Sequence, residues 1–595
     1  MMCYGAGMSL ADLGLIGNCQ LAAHVRRDGA IVWCCMPRFD SAPVFGSLLD
    51  DDGGQFTIGP ATPAMGVQRY LNNTNVLETK FESPEGSFRV LDFAPRFLQY
   101  ERSFRPTKLV RMVEPLSGTP RIRVSCDPVL GWSKARPHRE AGSHHISYRG
   151  FPTEVRLTTN APLSYLDSEP FALTEVKHFV FSWGAPVEEP LEPLCKRFLN
   201  DTIAYWRTWV KHCDVPPIFQ EEVIRSALVL KLHCFEDTGA IVAALTTSIP
   251  ESHGSGRTWD YRYCWLRDAY YALGAFRLLG HFEEREQFIH FLLNVASGAP
   301  GLDLAPLYRI DGRTDLEESI LTNWRGFQGE QPVRVGNGAA LHKQHDVFGE
   351  MVLALTPLFL DARFREQVTP PVLDLVTELT RRAVAVAGTP DAGIWELRTE
   401  WRPQTFSSLM CWAAADRMTR IAQTHVPVLA PEFSAAAEKI RREILTQAVD
   451  PDRGCLVADY GGREVDAALL QAVTLRLLPP RESHAMATVQ AILHDLDDGG
   501  WLKRYRTDDG FGTPDVAFSL CTFWLVEALA RLGLDAQARE ALDRVRNIRS
   551  PLGLYSEDVL SSSGEMWGNF PQAYSHVGLI HAAFAAAPRW SEYGS

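Results

Sequence analysis

Three short stretches of this chain combine the residue types that chemistry on a polar ring would need. GIWELRTEWR (393–402) sets Trp395 and Glu396 side by side after a glycine, YSED (555–558) carries Glu557, and TWDYRYCWLRD (258–268) ends on Arg267 and Asp268. Aromatic faces and planar hydrogen-bonding groups suit a ring that is apolar on its faces and covered in hydroxyls at its edge, which is a sugar. Cleaving a glycoside takes one carboxylic acid that gives its proton to the leaving oxygen and one carboxylate on the opposite face. Ile394 and Trp395 offer Glu396 an apolar wall that would disfavour its charged form, as an acid working near neutrality needs. Glu557 is the second candidate, and composition alone leaves Glu400, Glu565, Asp268 and Asp509 as rivals. These stretches have no Ser-His-Asp order, glycine-rich phosphate loop or H-E-x-x-H spacing to suggest a different chemistry. No metal or organic cofactor is expected.

Residues so far apart can share a site only if the fold gathers them. From residue 217 onward, helical periodicity predicts twelve segments: 219–235, 266–279, 282–297, 343–360, 371–387, 406–422, 431–448, 464–478, 482–495, 515–532, 535–546 and 570–587. The even-numbered ones are rich in small and apolar residues (SSLMCWAAA, VAFSLCTFWLVEALA), and the odd-numbered ones are more charged (FSAAAEKIRREILTQAV). A helix apolar all round belongs inside and an amphipathic one outside. The pattern predicts an (α/α)6 barrel of six parallel inner helices ringed by six outer ones. TWDYRYCWLRD, GFQGEQPVRVGN, GIWELRTEWRPQ, RYRTDDGFGTP and GLYSEDVLSSSGEMWGN all precede inner helices, so their loops should converge at one mouth.

Before about residue 190 the apolar period is two, as in NVLETKFES, SFRVLDFAP, KLVRMVEPL, PRIRVSCDP, TEVRLTTNAP and VKHFVFSW. An antiparallel β-sandwich over 1–190, a linking helix over 191–216 and a helical catalytic domain over 217–595 are expected.

At 595 residues, 46% of them hydrophobic and 22% charged, the chain has the balance of a soluble multidomain protein. No apolar run reaches the roughly 18 residues that span a bilayer. The start, MMCYGAGMSLADLGL, lacks the features of a secretory signal, so a cytoplasmic location is expected. A net charge of −13 without basic clusters argues against nucleic acid or a membrane surface as partner. The twelve cysteines form no C-x-x-C and lie mostly among apolar residues, which reads as reduced core thiols.

LGLIGNCQLAAHVRRDGAIVWCCMPRFDSAPVF, WDYRYCWLRDAYYAL, PVRVGN, GIWELR, DDGFG, FWLVEALARLG and LGLYSEDVLSSSGEMWGNFPQAYSHVGLIHAA together resemble glycoside hydrolase family 15, in its bacterial glucoamylase and trehalase-like branch. The likeness runs in order along nearly the whole chain. It implies the six-hairpin glycosidase architecture and an inverting exo-hydrolase that removes a terminal α-linked glucosyl unit. It places the general acid at Glu396 and the general base at Glu557. Arg267 and Asp268 correspond to residues that grip the non-reducing glucose, and Trp259, Tyr263, Trp395, Phe327 and Arg334 join them as substrate-binding positions. Relatives commonly read G-Y-x-G-S-x-P-V-R where this chain has Phe327 and Glu330, and many carry a lysine where it has Ser408. These departures bear on the leaving group rather than on the chemistry.

PRFDS, with Arg38 and Asp40, resembles a loop that can reach the mouth, although a β-turn role is equally open. His342 and His345 read as residues that orient backbone or sugar hydroxyls, His576 and His581 as core imidazoles, and LDDDGG (49–54) as a solvated turn. The expected substrate is a small α-linked glucoside, trehalose or a short α-gluco-oligosaccharide. A disaccharide phosphorylase and a non-catalytic sugar-binding protein on the same scaffold are the alternatives. Oligomeric state is not legible.

Overall fold

The computed structural model describes residues 8–593. Cys3 and the first seven residues of the stretch compared with a secretory signal lie outside them.

The amino-terminal part consists of antiparallel sheets. An eight-stranded sheet runs His138–Ala141, His145–Arg149, Val155–Thr159, Lys177–Trp183, Lys108–Gly118, Gly86–Phe93, Leu77–Ser83, Val67–Tyr70 in spatial order. A seven-stranded sheet contains Leu13–Gly17, Ala22–Arg26, Ala30–Cys35, Gln55–Pro60 and Arg121–Asp127. All six stretches expected as strands are strands. Alternation does the sorting: Leu77, Thr79 and Phe81 are buried while Lys80 and Glu82 face solvent. Arg111 ties the two sheets together from a fully buried position. It pairs with Asp92 on its own sheet and donates to the carbonyls of Phe56 and Gly29 on the other side.

Helix α1 (Leu191–Lys211) follows, packing Leu194, Cys195 and Phe198 against the eight-stranded sheet. Twelve further α-helices lie beyond it: α2 (Gln220–Leu232), α3 (Leu266–Leu278), α4 (Glu283–Gly298), α5 (Asp346–Leu360), α6 (Pro370–Val386), α7 (Thr405–His425), α8 (Ala430–Gln447), α9 (Gln471–Thr474), α10 (Ser483–Leu496), α11 (Ser519–Arg531), α12 (Asp535–Val545) and α13 (Ala573–Ala586). Contacts form a closed cycle. Helix α3 touches α5, α5 touches α7, α7 touches the 467–470 turn before α9, α9 touches α11, α11 touches α13, and α13 returns to α3. Each ring member is backed by one of the more polar helices, α4 on α3, α6 on α5, α8 on α7, α10 on the 467–470 turn, α12 on α11 and α2 on α13. Small residues permit this closeness: Ala413, Ala414 and Ala415 are wholly buried, and a Cβ at Gly349 would sit 2.2 Å from the Met410 carbonyl oxygen.

The expected helix at 464–478 is much shorter than its periodicity implies. A 3-10 turn at Ala467–Leu470 leads into the four residues of α9, and Arg476 takes a left-handed φ of 70° just before Pro479 and Pro480. The acidic run at 49–54 also differs from the expected solvated turn. Asp51 and Asp52 are exposed, but Asp50 is buried and accepts from Lys134 at 2.8 Å and from the Arg325 amide at 3.0 Å. The eleven cysteines among the described residues are all free.

Candidate active site

The loops before the ring helices converge, and each is pinned by local hydrogen bonds. Cys264–Trp265 pairs with Leu307–Tyr308 and feeds directly into α3, which places Arg267 and Asp268 in its first turn. A carboxylate there is favoured by the helix dipole. Residues 393–396 form a tight turn in which the Glu396 amide donates to the Gly393 carbonyl. Both ends of this turn are left-handed, with φ 66° at Gly393 and 61° at Glu396. That is an uncommon conformation for a glutamate, and its cost is of order 1 kcal/mol. Glu557 precedes the Asp558–Leu560 strand, which pairs on one side with Ala517–Phe518 and on the other with Glu565–Trp567.

Arg267, Asp268, Trp395, Glu396 and Glu557 line one cavity, together with Tyr261, Trp265, Arg504 and Tyr574. An adjoining cavity shares Tyr261, Trp395, Glu396 and Arg504 and adds Trp259, Glu251, Arg257, Asp509 and Phe511. Both catalytic candidates therefore face one space, from loops distant in sequence. Tyr263, Phe327 and Arg334 fall outside the lining. The buried Tyr263 hydroxyl accepts from the Gly336 amide, Phe327 packs edge-on against Trp567, and Arg334 pairs with Glu318 and lies over the Trp259 ring. These three shape the surround rather than the cavity itself.

The surroundings of Glu396 differ from the apolar wall expected of Ile394 and Trp395. One carboxylate oxygen accepts from the Trp265 indole N–H at 2.7 Å and from Arg267 at 3.3 Å. Trp395 lines the cavity but sends its own N–H to Asp466 at 2.7 Å. Arg267 also donates to the Tyr574 hydroxyl at 3.0 Å and keeps a buried Nη1 without a partner among the described residues. Burial pushes Asp268 up to about 7 against the pull of the Arg267 guanidinium.

Glu557 is 2% exposed and accepts from the Asn569 amide at 3.3 Å. Burial raises its carboxyl to about 8, the neighbouring Glu251 adds to the rise, and Arg504 opposes it. Glu251 goes the other way. Burial would raise it, but Arg504 and Arg257 hold it below the usual carboxylate range. It receives Arg257 at 2.8 Å and the Trp259 indole at 3.0 Å, and it pairs with Arg504. The cations thus settle a negative charge on Glu251, and that fixed charge discourages a second one on Glu557. Asp509 completes the cluster by binding Arg257 through both oxygens and the Tyr505 hydroxyl at 2.6 Å.

Glu251, Arg504, Tyr261 and Tyr574 are site residues that the reading of motifs missed. Arg504 and Tyr574 lie at the edges of stretches singled out for other reasons, and IPESHG around Glu251 carries no periodic or compositional signal. Among the residues read as departures, Glu330 accepts from the Gly254 amide and stands 2.5 Å from His253. Ser408 is buried in the first turn of α7, where it accepts from the Gly388 amide, and lines neither cavity. Arg38 clasps Asp40 and reaches Asp311, outside both cavities. His576 is a satisfied core imidazole between Ser226 and the Tyr555 amide, and His345 stands 3.2 Å from the Thr389 hydroxyl. His342 packs against Trp401, and His581 stands near Glu527 and the Tyr271 carbonyl. A larger cavity, about 340 Å³, opens at the opposite end of the ring and holds none of these carboxylates.

The family description "Glycosyl hydrolases family 15" matches residues 217–549, and "Trehalase-like, N-terminal" matches residues 4–158. The trehalase of Mycolicibacterium smegmatis is 34% identical over 97% of this chain and 92% of its own length. The trehalase of Thermoplasma volcanium is 32% identical over 96% and 92%. A bacterial glucoamylase solved in complex with acarbose shares the fold, with a TM-score of 0.67 at 14% identity over 98% of this chain and 94% of that one. No helix among the described residues is long and apolar enough to cross a membrane.

Proposed function

Since the chain belongs to glycoside hydrolase family 15 and is a glycoside hydrolase, we propose that it is an inverting, exo-acting enzyme that releases terminal glucose from trehalose or a short α-gluco-oligosaccharide. The observation that carries this reading is that Glu396 and Glu557 line one cavity with Arg267 and Asp268. Glu396 donates its proton to the leaving oxygen. Glu557, once ionised, takes a proton from a water on the other face of the sugar, a geometry that calls for about 6.5–9.5 Å between the two carboxyls. Arg267, with its free Nη1, donates to the glucose hydroxyls and Asp268 accepts from them, so a sugar lacking those hydroxyls leaves buried groups unpaired.

Trehalose is favoured within this range because both named relatives that cover the chain are trehalases. The closed cycle of helices is read as the inner layer of an (α/α)6 barrel over 217–595, joined by the linking helix over 191–216 to a β-sandwich over 1–190, in a cytoplasmic enzyme.

The test is to incubate the protein with trehalose, maltose and isomaltose and follow the products by NMR. Prompt β-glucose is expected, joined in the case of trehalose by an equal amount of α-glucose from the leaving half, with trehalose consumed fastest. α-Glucose without prompt β-glucose would overturn inversion, faster consumption of maltose or isomaltose would overturn the trehalose preference, and phosphate-dependent release of glucose 1-phosphate would overturn hydrolysis.

A further inference from the structure

The far end of the helical ring holds the cavity of about 340 Å³, a size within the usual range for small-molecule sites. All six ring members contribute to it, and six arginines line it: Arg277, Arg285, Arg417, Arg420, Arg476 and Arg531. Glu527 is the one carboxylate in the lining. Just outside, Asp416 pairs with both Arg417 and Arg420. The side chains of Arg277, Arg285, Arg476 and Arg531 have no hydrogen bond or ion pair with any described residue. This surplus of positive charge sits in a chain whose net charge is −13.

Helix dipoles explain part of the pattern. Arg277 and Arg531 lie in the last turns of α3 and α11, where a cation is favoured. Arg285 has no such excuse. It sits in the first turn of α4, where the dipole disfavours a cation, and it is 3% exposed with Nη1 unpartnered. Burial, with Arg277 beside it, lowers its guanidinium to about 10, and the nearby Asp361 and Glu286 pull the other way without pairing with it. Stacking over Phe282 and Phe364 supports its plane but supplies no counter-charge. Burying an unpaired cation is costly unless something answers it.

We propose that this cavity is a binding site for a small organic phosphate, whose phosphoryl group is held by Arg285 together with its unpaired arginine neighbours. A phosphate monoester brings close to two negative charges and three acceptor oxygens, matching forked guanidinium donors. A single carboxylate would leave most of the positive charge unanswered. The remaining walls, including Tyr270, Leu353 and Pro357, offer apolar surface to an organic body. The site is independent of the hydrolytic reading, since it shares no residue with the mouth.

Isothermal titration calorimetry of the full chain with phenyl phosphate, inorganic phosphate and benzoate tests it. Phenyl phosphate is expected to bind once per chain with Kd below about 1 mM, and the other two at least about tenfold more weakly. Arg285→Met and, separately, the exposed Arg476→Ser should each weaken phenyl phosphate binding about tenfold or more; the second variant serves if the first fails to fold. Absence of binding, or binding unchanged in these variants, would overturn the site. Benzoate binding as well as phenyl phosphate would overturn the phosphoryl preference, and equal binding of inorganic phosphate would overturn the organic body.

Discussion

At the mouth of the ring Arg257, Arg267 and Arg504 each pair with carboxylates, whereas at the far end Arg277, Arg476 and Arg531 pair with none among the described residues. The same helices carry both ends. Acids occupy their first turns, as Asp268 and Asp346 do, and arginines their last, which is the order the helix dipole favours. The ends differ in whether the protein itself supplies counter-charges. At the mouth it supplies them in excess, so that Glu251 holds its charge and Glu557 is pushed towards its neutral form. At the far end one carboxylate, Glu527, stands in a lining of six arginines.

The contrast breaks most severely if either catalytic candidate is neutralised. Glu396→Gln or Glu557→Gln should lower kcat by about 10²–10⁴-fold with KM little changed, and steady-state rates near those of the parent would remove the residue from its role. Arg267→Met should come next, lowering kcat/KM about 10- to 100-fold, because Glu396 loses a donor and Asp268 its neighbouring cation. An unchanged kcat/KM would mean that Arg267 does not grip the sugar.

A smaller effect sharpens the electrostatic half of the contrast. Only the ionised form of Glu557 can act as a base, so kcat/KM should rise with pH as this raised carboxyl loses its proton. Arg504 favours the ionised form. Its loss in Arg504→Met should therefore move the ascending limb of the pH profile upward by about one unit, and a downward move would contradict the coupling. The smallest effect belongs to the far end. Arg285→Met removes a buried cation that lacks a partner and should raise Tm by about 1–2 °C, measured without added phosphate. A fall in Tm would show that Arg285 is satisfied by the fold.

The convergence of the loops was legible because it follows from helix periodicity and from the contrast between apolar and charged segments. Asp268 and Glu396 could be read because they sit beside tryptophan and arginine in compact motifs. Glu251 could not, since its meaning lies in Arg257, Arg504 and Trp259, and Arg504 is 253 residues away in sequence. The donors to Glu396 were hidden for the same reason: Trp265 reaches it across 131 residues. Phe327 and Ser408 stood out against relatives, but a motif cannot tell that one packs behind Trp567 and the other is buried in α7. The short α9 escaped because apolar spacing says nothing of the left-handed turn at Arg476.

The cycle of helices is completed by α13 returning to α3, a join so close that a Cβ at Gly274 would lie 2.9 Å from the His581 ring. Residues 279–572 are synthesised between the two partners. At the usual pace of translation that interval is about 15 to 60 seconds. Throughout it, a nascent chain leaving the ribosome carries α2 and α3 without the helix that covers them. A chain that stopped before residue 573 would be left as an open arc rather than a smaller enzyme.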